Sequence, residues 1–278
     1  MRIIDTHLHL AYRPRFSQPW MAAYPAIDRS WKAEDYFVEA LPLGIEAALH
    51  MENDVSPEQM LGEAAFMCTA HERIVGAIAA ARPESTDFPE QLEILAAMPH
   101  VRGIRRILHV MPDALSDTPL FVDNVRRLAG AGLSFELCVR ADQLAVANKL
   151  AAAAPDVQFI LDHCGNPDIA NDGFSAWSPG LQALASLPNV AAKLSGLAVN
   201  AAPGWSAETL RPYVEHLIAA FGWDRVVWGS DHPVLLLNGS LQRWVAACHD
   251  LTAGVSEDER AKLFHANAER IYRLGDRP

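Results

Sequence analysis

Cysteine is scarce in this 278-residue chain. The four present, Cys68, Cys138, Cys164 and Cys248, are scattered, with no Cys-x-x-Cys pair. That spacing argues against a thiolate metal knot or a disulfide-stapled scaffold, and the four read as buried free thiols of a reducing compartment. Positive charge is also short: 23 Lys and Arg stand against 34 Asp and Glu, for a net charge of −11. Nucleic acid and anionic membranes need a basic face, so neither is an expected partner, although a locally basic pocket remains open to an anionic substrate. No uninterrupted apolar run approaches the roughly 18 residues of a membrane span. No basic segment leads into a long apolar one at the N-terminus, so no signal peptide is expected and the expected location is cytoplasmic. A glycine-rich phosphate loop after the first apolar run is missing, which lowers the prospect of an open, doubly wound nucleotide-binding sheet. Repeats, low-complexity tracts and linkers are not seen, and residues 1–278 read as a single domain.

What the chain has in quantity is apolar sequence, half of all residues, arranged in short runs. Eight of them look like fully buried strands: 2–6, Gly44–His50, Ile74–Ala81, Val101–Leu108, Leu133–Val139, Val157–Leu161, Val190–Leu194 and Arg225–Trp228. Most gaps between them are about 30 residues, the size of one strand–helix unit. Helical spacing appears over Pro57–Arg73 after a Ser56 cap, and over Thr118–Ala131 before a Gly132 stop. It recurs over Asp142–Ala154, over Ser206–Ala220 behind an offset capping box, and over Ser256–Leu274. Eight strands alternating with helices predict a (β/α)8 TIM barrel. Residues 11–35, rich in Pro and aromatics, read as an irregular insertion over the catalytic face or as a packed surface loop.

Barrel enzymes place their chemistry at the C-terminal ends of the strands. The first run ends in His7-Leu8-His9, and residues two apart on a strand share a side, so both imidazoles can face one metal ion or one substrate oxygen. The alternative is a core histidine beside a solvated one. Further ends carry His50-Met51-Glu52, Arg82, Arg105 with His109, Arg140, Asp162-His163-Cys164-Gly165, Lys193 before Ser195-Gly196, and Ser230-Asp231-His232. His7, His9, His163 and Asp231 form a candidate set for one divalent ion, with nitrogen and oxygen donors suited to zinc. The same four can act without metal, with Asp231 as the base for a water. Arg105 offers a rigid forked donor for a carboxylate or polarised carbonyl. A salt bridge inside the barrel is the competing role for Arg105 and for Lys193. Glu52 and His50 are candidate pocket-lining residues, whereas Arg106 alternates to the other side.

Four blocks carry a family resemblance: Ile4-Asp5-Thr6-His7-Leu8-His9, Val101-Arg102-Gly103-Ile104-Arg105, the run from Phe159 to Asp168, and the run from Val227 to Val234. Leu187–Val190 and Lys193–Gly196 add to them. In these residues the chain resembles the amidohydrolase superfamily, within it the amidohydrolase-2 group of L-fuconolactonase- and L-rhamnonolactonase-like sugar lactonases. Pyrone-dicarboxylate lactonases and sugar-acid lactone isomerases are similar too. The resemblance implies a barrel hydrolase that opens a sugar-acid lactone. Its catalytic residues would be Asp231, His163 and Arg105, with His7, His9, Glu52, Lys193 and His232 binding substrate. His232 departs from the group's usual Trp, which makes it a candidate for altering the pocket. Arg105 stands where binuclear members carry a bridging Lys or Glu, and the run 135–139 has no His, so at most one divalent cation is expected and none is strictly required. The alternative activity within the superfamily is a metal-dependent decarboxylase of an unsaturated or aromatic acid.

Overall fold

A computed structural model describes residues 1–275. Among them, eight parallel strands follow one another in sequence order: β1 (Ile3–Leu8), β2 (Ile45–Met51), β3 (Ile74–Ala80), β4 (Val101–Ile107), β5 (Ser134–Cys138), β6 (Phe159–Leu161), β7 (Val190–Leu194) and β8 (Val226–Trp228). All eight coincide with the predicted runs to within a few residues. The ring closes where Leu8 bridges to His232. At that seam the Asp231 amide donates to His7 O (2.9 Å) and the His9 amide to His232 O (2.8 Å). This is a (β/α)8 barrel. Parallel strands covered on both faces must be apolar throughout, which is why the runs are legible.

Each strand leads into a helix that packs on the outside. The predicted helices at 119–131, 144–153 and 207–221 are present, the first stopped at Gly132 in the left-handed conformation (φ 66°). Thr209, at the third helical position, completes the Ser206 capping box. The helix expected over Pro57–Arg73 is shorter, a 3-10 turn leading into Met60–Met67. Five helices escaped the sequence reading: Ala33–Ala40, Phe88–Ala97, Phe174–Ala185, the single turn Leu197–Asn200, and Leu241–Leu251. Phe174–Ala185 carries an internal proline, a residue that ordinarily ends a helical pattern. The tail is broken by a wide i→i+5 turn at Lys262–Ala266 between Glu257–Ala261 and Asn267–Ile271. No helix among the described residues is long and apolar enough to cross a membrane.

Two cores result. The larger lies between strands and helices. The smaller fills the barrel with Ile4, Leu49, Met51, Ile78, Ile160 and Val227, and is closed from below by Ile271 and Tyr272 of the tail. The apolar plug leaves the opposite end of the barrel as the open face. The insertion after β1 is tethered there by an Ala11–Trp31 bridge and is irregular apart from a 3-10 turn at Pro19–Ala23.

Candidate active site

At the C-terminal mouth of the barrel lies a cleft of about 510 Å³, lined among others by His9, Asn53, Arg105, His163, Asn166 and Asp231. Small-molecule sites run from roughly 300 to 1,000 Å³, so the cleft suits a compact metabolite. Trp20 and Tyr24 of the insertion form part of its wall, together with Val199, Val234 and Leu237.

The side chains converge because the strand ends do. His7 and His9 project together, with Nε2 atoms 3.2 Å apart. A register irregularity between Asp5 and Leu8 accompanies this turn of β1 toward the axis. Asp231 follows β8 in a left-handed conformation (φ 60°), and His163 follows β6 with φ 52°. Non-glycine residues held at positive φ cost about 1–3 kcal/mol each and collect at functional sites. The Asp231 turn is held by Asp5, whose carboxylate accepts from the Ser230 amide (2.8 Å), the Ser230 hydroxyl (2.5 Å), the His7 amide (3.0 Å) and the Tyr36 hydroxyl (2.6 Å). His163 is seated by Ser195, Oγ to Nδ1 2.9 Å. Its ring lies so close to Gly196 (φ 70°) that a Cβ there would stand 2.7 Å from it.

Beneath this layer is a buried charge network. Lys193 Nζ, with no exposure, donates to Glu136 Oε2 (2.8 Å) and Asp162 Oδ1 (2.9 Å) and lies 3.2 Å from His7 Nδ1. Tyr272 of the tail donates to the other Glu136 oxygen (2.8 Å). Arg105 grips Glu52, Nε to Oε1 at 2.6 Å and Nη2 to the backbone oxygen at 2.9 Å. Its Nη1 is left 3.5 Å from His7 Nε2 and 3.7 Å from Asp162 Oδ2.

Burial sets the protonation states. Desolvation raises the Asp231 carboxyl well above the usual range, with Arg105 pulling it back only in part. Desolvation and the nearby cations lower His7 and His9 well below the usual imidazole value. Burial takes His163 down to about 3 despite the opposing pull of Asp162. These imidazoles are therefore neutral at pH 7. Burial opposes the charge on Lys193, but Asp162 and Glu136 outweigh it and raise its pKa. Burial likewise pushes Asp162 up, yet Lys193 and His7 hold it well below the usual carboxylate range.

The donor set fits one divalent ion. His7, His9 and Asp231 each offer an atom within 4.8 Å of the others, two nitrogens and one oxygen. His163, the fourth expected ligand, groups instead with His7 and Asp162, and that grouping has the Lys193 ammonium 3.2 Å or less from two of its members. Three of the four expected ligands thus share one point.

Four expected substrate contacts, Lys193, Glu52, His232 and His7, do not line the cleft. Lys193 is sealed inside the barrel by its carboxylates. Glu52 is spent on Arg105 and on the Asp54 amide (2.8 Å). His232 turns away from the cleft onto Trp31 and Tyr36, ring centroids 5.0 and 5.2 Å away, so it belongs to the wall behind the site and not to the lining. His7 is also fully buried, one layer below the cleft. His50 faces Glu63 (3.7 Å). Arg106, read as structural, pairs with Glu84 at 2.8 Å. Sequence reasoning gave no role to Asp5, Glu136 or Asp162. The available signal was a lone acid inside an otherwise apolar run, a placement that demands a buried partner.

The cleft lies at the C-terminal face of a parallel barrel, where enzymes of this fold carry their active sites, and its walls bring a buried carboxylate together with imidazoles and two arginines, Arg105 and Arg140. Comparison with known proteins supplies the family. Residues 4–274 match the amidohydrolase family, and the chain belongs to it and is a hydrolase. It is 34% identical to an L-fucono-1,5-lactonase of Burkholderia ambifaria, over 70% of this chain and 69% of that one. It is 30% identical to an L-fucono-1,5-lactonase of Burkholderia multivorans, over 98% of this chain and 96% of that one. A crystal structure of an amidohydrolase from Burkholderia multivorans with bound zinc superposes with a TM-score of 0.90, at 23% identity over 99% of this chain and 100% of that one. At that identity the likeness concerns the fold.

Proposed function

We propose that the protein hydrolyses a sugar-acid lactone to the open aldonic acid. The observation that carries this reading is Asp231, a carboxylate of raised basicity that lines the cleft within 3.7–3.9 Å of His7, His9 and His163. The lactonase names of two relatives support the substrate class. Asp231 takes a proton from a water, whose oxygen attacks the ring carbonyl. Arg105 Nη1 and a neutral imidazole N–H stabilise the oxyanion, donors already fixed in place before charge develops. A Ser195 hydroxyl that donates to His163 Nδ1, 2.9 Å away, would leave the proton of that ring on Nε2. The carbonyl–ring-oxygen bond then breaks, and Asp231 returns its proton to the departing alkoxide. A lactone is an activated ester, so this set of groups suffices in principle.

His7, His9 and Asp231 would hold one divalent ion such as zinc, which when bound would supply further polarisation of the carbonyl or the water. Wherever that ion is absent, Asp231 alone remains as base. The polar Asn53, Asn166 and Asn200 in the cleft suit sugar hydroxyls. The substrate is thus a free small molecule, as in cytoplasmic carbohydrate catabolism. The test is a screen of aldonolactones in a pH-indicator assay, with and without chelator. Acid release without CO₂ is the expected result. CO₂ release from an aromatic or unsaturated acid would replace this reading with a decarboxylase.

A further inference from the structure

We propose that Tyr272 is a positioning residue: its hydroxyl caps a row of buried charges that runs from the closed base of the barrel to Arg105, and so keeps the Arg105 donor aimed into the cleft. The inference rests on the oxyanion role of Arg105 proposed above and not on the identity of the lactone.

The row is Glu136, Lys193, Asp162, Arg105 and Glu52, in which carboxylates and cations alternate and every side chain is buried. Buried charges are tolerated where each is paired and its remaining polar atoms are met. Glu136 Oε2 accepts from Lys193 Nζ (2.8 Å), which also donates to Asp162 Oδ1 (2.9 Å). Asp162 Oδ2 faces Arg105 Nη1 at 3.7 Å, and Arg105 Nε donates to Glu52 Oε1 (2.6 Å). One carboxylate oxygen is left at each end. Glu52 Oε2 accepts from the Asp54 amide (2.8 Å), and Glu136 Oε1 accepts from the Tyr272 hydroxyl (2.8 Å). The Thr6 hydroxyl beside the phenol gives its one proton to Trp228 O (2.7 Å), so it cannot take the place of Tyr272.

The slack link of the row is the one next to the cleft. Asp162 Oδ2 has no hydrogen-bond partner among the described residues. Its place opposite Arg105 Nη1 is therefore set by what grips the other oxygen, namely Lys193 and His7 Nδ1, the latter 3.2 Å from Oδ1. On its far side Lys193 is held by Glu136. Without the Tyr272 hydroxyl, Glu136 Oε1 would be a bare carboxylate oxygen sealed from water, and such an oxygen is costly to leave unmet. Glu136 would then turn both oxygens toward Lys193, Lys193 would follow, and Asp162 would lose its seat opposite Arg105. A donor shifted by a fraction of an ångström no longer meets charge that develops at one point. The Tyr272 ring has a separate task, since it packs with Ile271 in the apolar base of the barrel. Phenylalanine can fill that place, so the hydroxyl alone separates the two roles.

Tyr272→Phe is the test. Measured well below the melting temperature, its kcat for the lactone should fall by roughly 2- to 30-fold, the range for residues that act through a packed network, with KM unchanged. An unchanged kcat in the folded variant overturns the proposal. Ile271→Val loosens the same base but carries no polar group of the row. It should lower Tm and leave kcat as it is; an equal loss of kcat would assign the effect to the apolar base and refute the role of the hydroxyl. Spectra (¹H–¹⁵N) of arginine-labelled protein, with the Arg105 Nε–H signal assigned through Arg105→Lys, read the far end of the row without substrate. That signal should shift in Tyr272→Phe and stay in Ile271→Val, and a fixed signal in Tyr272→Phe overturns the coupling. If the wild type opens no lactone, the lactonase reading fails and the Arg105 signal alone decides this one. If Tyr272→Phe does not fold, the double variant Tyr272→Phe with Glu136→Gln, which leaves no charge unmet at that end, takes its place with the same outcomes.

Discussion

Replacing Asp231 by Asn separates catalysis from stability in a way the structure quantifies. The amide cannot take a proton, so turnover should fall by at least ~10²-fold, the lower end of what general-base catalysis contributes. The backbone should not move. The Asp231 N–H bonds to His7 O whatever the side chain is, and Asn tolerates φ near 60° about as well as Asp. Stability should shift in the opposite direction to activity. Asp231 is 4% exposed and its folded-state pKa is raised, chiefly by burial. A raised pKa means the carboxyl's contribution is complete below its unfolded value and is lost as pH climbs through the folded one. Each unit between the two values is about 1.4 kcal/mol at high pH. Asn does not titrate, so the variant should gain on the wild type as pH rises from 4 to 8. At about 2–4 °C per kcal/mol for a chain of this size, thermal melts would resolve that gain. The wild-type kcat should have an acid limb lying above the ordinary aspartate range, because only the ionised base works. Near wild-type turnover in a folded Asn variant would refute the role of base. A constant difference in Tm between pH 4 and 8 would refute the buried, raised carboxyl.

Three further outcomes are expected. Arg105→Lys keeps the charge but loses the two-pronged hold on Glu52; kcat/KM for the lactone should drop by about tenfold or more, the worth of one charge-assisted hydrogen bond, whereas full activity would reduce Arg105 to a barrel ion-pair partner. Gly196→Ala places a Cβ against the His163 ring at a positive-φ position; both activity and Tm should fall, by roughly 1–2 kcal/mol in stability, and an unchanged pH–rate profile and Tm would show that His163 has room to give. Elemental analysis should find no more than one divalent ion per chain, and chelated enzyme should keep most of its lactonase rate; complete loss restored by zinc would make the ion obligatory, with Asp231 as its ligand.

The barrel was legible because a parallel sheet buried on both faces leaves continuous apolar runs, and the segment lengths between them admit one helix each. His7, His9, His163, Arg105 and Asp231 were legible as well, since polar residues at the ends of such runs have no reason to be there except chemistry or pairing. Which of those two reasons applies is a matter of neighbours, and only the closed barrel decides it. Lys193 looks like a substrate contact from its place near the end of β7. It becomes an internal ion-pair partner once β5 and β6 bring Glu136 and Asp162 to within 2.9 Å of its nitrogen. His232 looks like pocket lining because it follows Asp231, but the left-handed turn at Asp231 sends it toward Trp31 and Tyr36. The helix at Phe174–Ala185 was hidden by its own proline, and packing overrode that local signal. Local patterns in the chain record which segments are buried and where polar groups interrupt them. The pairing of those groups depends on strands up to 225 residues apart meeting around one axis, as Asp5 and Ser230 do, and no local pattern encodes that meeting.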